Sequence, residues 1–570
     1  MNYNKKNIFF IIVFIFILLF LLNKTYAASI SSKEQFLNNI KLNSSVVSLS
    51  GVKYYIVGNS NEGVYPVDDS ITLFRKDSSD NVTTFGYNTN YSDSYLIGNL
   101  AFIANNMNDF ERKNINIRNF DPSLDNFSGN TIYNQYLWVL SSEEFNKLEQ
   151  EVKNYDSKYW LRTAYYGDRV FGVTNGSISY GVAYYMERTV REALSLNLSS
   201  LYLVSNFINQ NGKLSLNKGK LNSVENYNYE NTNNLKFTFI DNSRTFKIDS
   251  NIPDNIEKNK SVEISYSNAN VGENEYISVI LKDNNGDIKY YGQIDNVSDS
   301  GSGTITLSFE NVERGNYILE IFNEKINEDN ISDISSNPYI KNISIKNKIN
   351  INSDIKNGNI ICNQFANPGD LVVMDIKPEL GYKLGNISVI DDLGSKITVE
   401  NNSFVMGENS VVINATFIPE QYEFIEGENS VYQNTDMIFK LNGNLEILDT
   451  ILINNNILDF NNYTLNNLDN NTVIILKDSY LKTLKNGNYE IKVTYKNGSF
   501  DITNFIIENN EKKEIVLDDT KQDNTIQTDQ SVAILNPNTS DKILLYVVVL
   551  LVISISGFII SLKNNVNRKI

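Results

Sequence analysis

An apolar run without a single charge, Ile543 to Leu562, closes this chain, followed by a tail carrying Lys563, Arg568 and Lys569. A hydrocarbon core about 30 Å thick is crossed by roughly 20 apolar residues, so the run is long enough to span a bilayer as a helix. The cationic residues behind it are expected on the cytoplasmic side, which places everything before the run outside. At the other end Lys5 and Lys6 precede an apolar stretch from Ile8 to Leu22, with Thr25 and Ala27 at the small-residue positions of a cleavage site. Residues 1–27 are therefore expected to be a signal peptide cut after Ala27; the alternative is an uncleaved N-terminal anchor.

An exported chain with one cysteine, Cys362, can close no intrachain disulfide, so its domains must hold by burial. Its 570 residues and 41% hydrophobic content suffice for several packed cores. The formal net charge of -17, with no Lys/Arg cluster between the ends, argues against nucleic acid as a partner. Histidine is absent. That removes the usual zinc sites, Ser-His-Asp triads and Cys-His dyads. No short motif pairs carboxylates in a recognisable catalytic setting. The expectation is no enzyme, no cofactor and no metal site.

From residue 28 onward the periods are mixed. Ser45 to Val57 and Ile71 to Arg75 read as strands. Leu96, Ile97, Leu100, Ala101, Ile103, Ala104 and Met107 take helical spacing after Ser92 and Asp93. Ser141 and Glu144 make a capping-box pattern, with Phe145 and Leu148 on the inward face of a second helix. Tyr159 to Val173 and Ser177 to Tyr185 are strand-like, and Asn175-Gly176 between them is a hairpin turn. Four stretches here carry a resemblance: Leu140-Ser141-x-Glu143-Glu144, Tyr159-Trp160-Leu161-Arg162-Thr163, the Val173-x-x-Gly176 turn, and Val190-Arg191-Glu192-Ala193-Leu194-x-Leu196-Asn197-Leu198. Over roughly Ser45 to Leu203 they resemble an uncharacterised family of bacterial extracellular domains marked by W-L-R-[ST] and V-R-P-A-L. That family's pattern is similar to the C-type-lectin and sulfatase-modifying-factor fold. The resemblance implies an α+β, C-type-lectin-like head over residues 28–207. Glu192 stands where the family has Pro, which puts the geometry of that strand in question. The formylglycine-generating activity of the related fold depends on cysteines, and this domain has none.

Both tryptophans, Trp138 and Trp160, lie in the head beside Tyr165, Tyr166, Tyr180, Tyr184 and Tyr185. Aromatic faces with polar edges suit sugar stacking, so Trp160, Arg162, Tyr165, Tyr166 and Tyr184 are the candidate binding residues for a glycan or an extracellular protein. The alternative is core and cross-strand packing, with Arg162 and Arg191 in internal ion pairs to Asp156 or Glu187.

Residues 208–234 read as a linker with one short strand. Over 235–347 the helical period disappears: Leu235 to Ile240, Val262 to Tyr266, Tyr276 to Leu281, Thr304 to Phe309 and Tyr317 to Phe322 are strands at the spacing of an Ig-like sandwich. Asp283-Asn284-Asn285-Gly286-Asp287 lacks the terminal Glu of a calcium loop and reads as a hairpin turn. Over 348–419, Pro368-Gly369-Asp370, Gly381-Tyr382 and Phe404-Val405-Met406 resemble the small β-repeats of Gram-positive surface proteins, including divergent internalin repeats; Cys362 falls in the first strand as a small buried hydrophobe. Over 420–508, Asn461-Asn462-Tyr463, Ser479-Tyr480-Leu481 and Tyr489-x-Ile491-x-Val493 resemble the Ig-like modules of clostridial scaffoldins. Gly487-Asn488-Tyr489 echoes Gly315-Asn316-Tyr317, which suggests one strand design used twice. Residues 509–535 are polar and acidic, expected to be a disordered tether across the wall.

Ahead of the apolar run, Asn536-Pro537-Asn538-Thr539-Ser540 resembles a sortase sorting signal of the N-P-x-T-[GS] variety. The resemblance implies that a sortase-type transpeptidase attacks the Thr539 carbonyl and joins the chain to a peptidoglycan amine. Asn536 and Ser540 replace the commoner Leu and Gly, leaving the sortase class open; a permanent single-span anchor is the alternative. The expected whole is a multidomain surface protein: an α+β head, all-β Ig-like and β-repeat modules, and a transmembrane helix over 543–562. Its expected role is to present a ligand-binding head, against the alternatives of a carboxylate-dependent glycan enzyme or a structural spacer.

Overall fold

The computed structural model describes residues 30–80, 82–153, 158–206, 219–224, 234–328 and 330–508. Ala27, the tether, the sorting residues and the apolar run over 543–562 lie outside the described residues. Among the described residues no helix is long and apolar enough to cross a membrane. The chain is multidomain and mostly β.

In the head, apolar residues at strand spacing build two sheets. One runs Trp138–Val139, Glu192–Asn197, Ser70–Arg75, Val52–Gly58 and Val46–Leu49, and continues through Leu235–Ile240 and Leu201–Asn206 to Ile30–Ser32. The other has five strands in the order Ser177–Val182, Arg169–Thr174, Lys158–Ala164, Glu187–Thr189 and Val82–Thr84. The expected turn is present: Asn175 and Gly176 take positive φ, 49° and 71°, as a tight two-residue hairpin requires. The helix Tyr95–Asn105 buries Leu96, Leu100 and Ala104, and its N-cap is Ser94. Ser141 and Glu144 form the expected capping box on Ser142–Asn146, with Phe145 and Leu148 buried. Glu192 opens a regular strand. Its buried carboxylate accepts from the Tyr54 hydroxyl at 3.0 Å and pairs with Arg75 at 3.2 Å, so the departure from Pro leaves the strand intact.

Leu235–Ile240 belongs to the head, a correction to the expected boundary at 234/235. Its Leu235, Phe237 and Phe239 are buried in the head's core, and it pairs with Leu201–Asn206. Alternation shows that one face of a strand is buried, not against which core. The expected linker is also partly built in: Asn222–Ser223 pairs with Tyr290 and Tyr291, and Leu221 enters the core of the following sandwich.

That sandwich packs a sheet of Lys247–Ile248, Ser261–Ser267 and Gly303–Ser308 against Ile288–Asn296, Glu275–Lys282, Gly315–Lys325 and Tyr339–Ile351. Asp283 closes the turn between Glu275–Lys282 and Ile288–Asn296, accepting from the amides of Asn285 and Asp287. Tyr339–Ile351 runs across the expected 347/348 boundary: its first half ends this sandwich, and Ile349, Asn350 and Ile351 pair with Val411–Pro419 in the β-repeat. In the repeat, Phe404 and Met406 point into a small core with Val372, Val389 and Ile413. Cys362 sits just past the strand Gly358–Ile361, half-buried at the core's margin, where burial pushes its thiol up.

The last module is a second sandwich, Phe424–Glu426, Met437–Leu441, Asn471–Leu476 and Tyr463–Leu468 over Ser430–Val431, Phe500–Ile507, Gly487–Tyr495, Leu448–Ile453 and Asn456–Ile457. The echo between the two sandwiches is physical. Tyr317 and Tyr489 each donate a hydroxyl hydrogen bond to the carbonyl four residues upstream, Glu313 at 3.1 Å and Lys485 at 3.0 Å. Each opens the penultimate long strand, where Ig-like domains carry a tyrosine corner.

The joints between units are packed. Ile30, Tyr202, Leu203, Ile280, Ile288, Tyr291 and Phe322 form one apolar cluster shared by the head and the first sandwich. Glu111, fully buried on the head, accepts from the amides of Ser50 at 2.7 Å and Ser332 at 2.6 Å. At the far joint Gly381, at φ 88°, lies so close to Ile447 that a Cβ would come within 1.8 Å of its Cδ1, and its carbonyl accepts from Asn497 at 2.7 Å. Phe237→Ala, which empties a buried ring site in the head, is expected to cost about 3–5 kcal/mol in chemical denaturation of the chain; a loss below about 1 kcal/mol would return this strand to the stalk.

Candidate functional site

Lys158–Ala164 is covered on both sides, so Tyr159, Trp160, Leu161, Arg162 and Thr163 are all buried. Trp160 donates its indole N–H to the Thr83 carbonyl at 2.9 Å, meets Phe85 edge-on at 5.6 Å and carries the Arg188 guanidinium over its ring at 5.1 Å. Gly181 makes room for it: a Cβ there would come within 2.9 Å of the indole. Arg162 donates to the carbonyls of Asp125 at 2.8 Å and Val139 at 2.9 Å and pairs with Glu144. Arg118 pairs with the same carboxylate at 3.2 Å and with Asp125, its guanidinium 3.6 Å over the Tyr65 ring. Burial would push Glu144 up, but the Arg162 and Arg118 charges and the Ser141 amide bring it down to about 2. Thr163 accepts from the Ser142 amide at 3.0 Å and donates to the Asn126 carbonyl at 2.9 Å. The Trp160-Leu161-Arg162-Thr163 motif therefore ties a helix, a loop and a strand together from inside.

Two candidate binding residues are thereby corrected: Trp160 and Arg162 do not reach solvent, because a strand buried on both faces shows no alternation to betray it. The expected acidic partner of Arg162 is corrected too. Arg162 takes Glu144 in place of Glu187. Arg191 donates to the carbonyls of Arg75 at 2.6 Å and Val152 at 3.2 Å and to the Tyr159 hydroxyl at 3.3 Å. Asp156 lies outside the described residues.

The tyrosines end up outside. Tyr166 is 83% and Tyr185 75% exposed, and Tyr165, Tyr180 and Tyr184 are each about half exposed. A hydrogen bond from the Ala183 amide to the Asp168 carbonyl, 2.9 Å, sets the turn carrying Tyr165 and Tyr166 beside the one carrying Tyr184 and Tyr185. Tyr165 stacks on Tyr180 with ring centres 4.8 Å apart and planes 9° from parallel, and Arg169 lies 5.0 Å from the Tyr180 ring. Tyr184 and Tyr185 touch at 4.3 Å. The Gly86 amide bonds the Ala183 carbonyl at 3.2 Å, which brings the exposed Tyr87 and its neighbour Tyr95, 5.6 Å apart, to the same rim. Sequence reasoning missed these two; the short run ending in Phe85-Gly86-Tyr87 was the available signal. Beside the face is an open cleft of about 290 Å³, between Pro122–Ser128 and Thr163–Ala164, with Glu143 as its lining carboxylate. Such a face can cover a flat apolar ligand surface while phenol hydroxyls bond its polar edge. Among the described residues no group of three or more His, Cys, Asp or Glu gathers where it could hold a metal ion.

No family model matches the chain, and no curated protein does. Among solved structures, a tandem of titin Ig domains is 11% identical over 46% of this chain and 96% of that one, with a TM-score of 0.13. Trypsin-activated alpha-2-macroglobulin from Escherichia coli is 8% identical over 58% of this chain and 31% of that one, TM-score 0.14. An ICAM-5 ectodomain fragment is 9% identical over 55% and 85%, TM-score 0.15. At such scores these likenesses add nothing to what the strand pairings themselves give.

Because the folded Glu144 titrates near 2 against an ordinary 4.5, its contribution is complete above about pH 4.5 and disappears as pH falls toward 2. Glu144→Gln, which leaves Arg162 and Arg118 facing a neutral group, is expected to cost about 3–5 kcal/mol at neutral pH. It should also flatten the loss of stability between about pH 4.5 and 2, read from denaturant midpoints across that range.

Proposed function

We propose that this is an exported, non-enzymatic surface protein that presents a ligand-binding head on a stalk of β-modules and is held at the cell wall by its C-terminal signal. The observation that carries the reading is the tyrosine face of the head, whose Tyr166, Tyr184 and Tyr185 stand clear of the core. The C-type-lectin-like resemblance of Ser45 to Leu203 belongs to the same reading, and the class of ligand it favours is a glycan, whose ring faces stack on aromatic side chains. The adjoining cleft is lined by Glu143, whereas carboxylate-dependent glycan hydrolysis wants two carboxyl groups about 5–9.5 Å apart. That favours binding over turnover.

The joints reported above decide what should be tested. Residues 28–207 alone would lack Leu235–Ile240, so the binding experiment uses the whole exported part, 28–535. On a glycan array it is expected to retain one class of sugar, and combined Tyr166→Ala and Tyr185→Ala substitution should weaken retention about tenfold with no change in thermal midpoint. Retention unaffected by those changes would move the site elsewhere. For the anchor, Thr539→Ala is expected to shift the protein from the wall fraction to the membrane fraction of its host; an unchanged distribution would leave the single-span anchor as the reading.

A further inference from the structure

Among the described residues, four parallel strand pairings extend beyond a single residue pair: one joins the head to the first sandwich, and the other three each join a strand near the start of a module to that module's last strand. Leu235–Ile240, a strand of the head, lies parallel to Asp333–Ser335 of the first sandwich, with Thr238 opposite Asp333 and Ile240 opposite Ser335. In the first sandwich Asn255–Glu257 lies parallel to Tyr339–Ile351. In the repeat Ile349 to Ile351 lie parallel to Val411 to Ile413. In the last sandwich Ser430–Val431 lies parallel to Phe500–Ile507. Further backbone bonds close these patches: Ser344 donates to the Asp254 carbonyl at 2.7 Å, Lys258 to Lys346 at 2.8 Å, Asn352 to Ile413 at 2.9 Å, and Tyr432 to Ile506 at 2.8 Å. A buried ion pair between Lys236 and Asp333, 2.7 Å, spans the first.

We propose that the modules after the head form a tension-carrying tether, in which each module bonds a strand near its entry alongside, and parallel to, the strand by which the chain leaves it. Tension between the chain's ends pulls the entering strand by its N-terminal end and the leaving strand by its C-terminal end. In a parallel pair those ends lie at opposite ends of the ladder, so the strands must slide and the bonds between them share the load. An antiparallel pair would bring both ends to one side and open bond by bond. Tyr339–Ile351 adds continuity: it is the leaving strand of one patch and the entering strand of the next, so tension crosses that joint with no slack segment. The source of the pull rests on the anchoring reading; the resistance to it does not.

The test holds the purified full chain at constant force. In one arm it is held by its two ends; in the other, Asn259→Cys with Cys362→Ser, it is held at residue 259 and the C-terminal end. Residue 259 follows Asn255–Glu257, at the same end of the ladder as the outgoing chain, so this second arm peels the pair. The first sandwich is expected to survive at least about tenfold longer at equal load in the end-to-end arm, since two or more backbone bonds, each worth about fivefold in lifetime, must fail together. Lys258→Pro provides a second measurement. Lys258 occupies the second position of a turn closed by the Lys260 amide on the Glu257 carbonyl, with Asn259 at φ 64°. Proline fits that position; relative to alanine it removes only the N–H donor, since both substitutions lose the bond from the Lys258 ammonium to the Val312 carbonyl. End-to-end lifetime is expected to fall about fivefold relative to Lys258→Ala, which keeps the N–H. Equal lifetimes in the two arms, or for the two substitutions, would overturn the proposal and leave the binding role of the head untouched.

Discussion

Backbone hydrogen bonding across the places where one unit meets the next is what the rest of this structure depends on. A chain with one cysteine has no disulfide to limit the freedom of its modules, and small β-units standing alone bury little surface for their length. Here Leu235–Ile240 completes the head's sheet and pairs onward with Asp333–Ser335, and Tyr339–Ile351 serves two modules in one unbroken strand. Shared strands make each core partly the property of its neighbour. The apolar cluster around Tyr202, Tyr291 and Phe322 and the contact of Gly381 with Ile447 add side-chain packing at the same joints.

The head solves a different problem, holding loops that have little regular structure. Arg162 and Arg118 converge on Glu144, and further donors reach the Asp125 carbonyl and carboxylate in the loop that borders the cleft and the Val139 carbonyl. Buried charges are costly unless paired and hydrogen-bonded, and this arrangement satisfies both conditions while fixing helix, loop and strand in one geometry. With that interior rigid, Tyr165, Tyr166, Tyr184 and Tyr185 project from two turns at the end of the paired strands Arg169–Thr174 and Ser177–Val182, where the backbone bond between Ala183 and Asp168 continues the ladder. The exposed face is displayed by the buried charges behind it without using them.

Much of the local structure was legible. The capping box at Ser141, the Asn175-Gly176 hairpin and the Asp283 turn depend on a few neighbouring residues, and each occurs where its residues predict. The repeated Gly-Asn-Tyr likewise announced two sandwiches with one corner device, because the tyrosine's partner is only four residues away. Less legible were strands such as Tyr339–Ile351 and Ile288–Asn296, whose alternation is interrupted by Lys, Asn and Asp and whose stability comes from partners distant in sequence.

By itself the sequence determined the regularly alternating strands and the local turns and caps, that no disulfide holds them, and that aromatic residues concentrate in the head, since each follows from residue type and short-range spacing. Tertiary structure alone decided which core each strand enters, as with Phe237, and which candidate residues face water, as with Trp160 against Tyr166. It also decided that entering and leaving strands lie parallel. The physical reason is that side-chain period reports only that a face is buried, while the identity of what covers it is set by residues tens to hundreds of positions away.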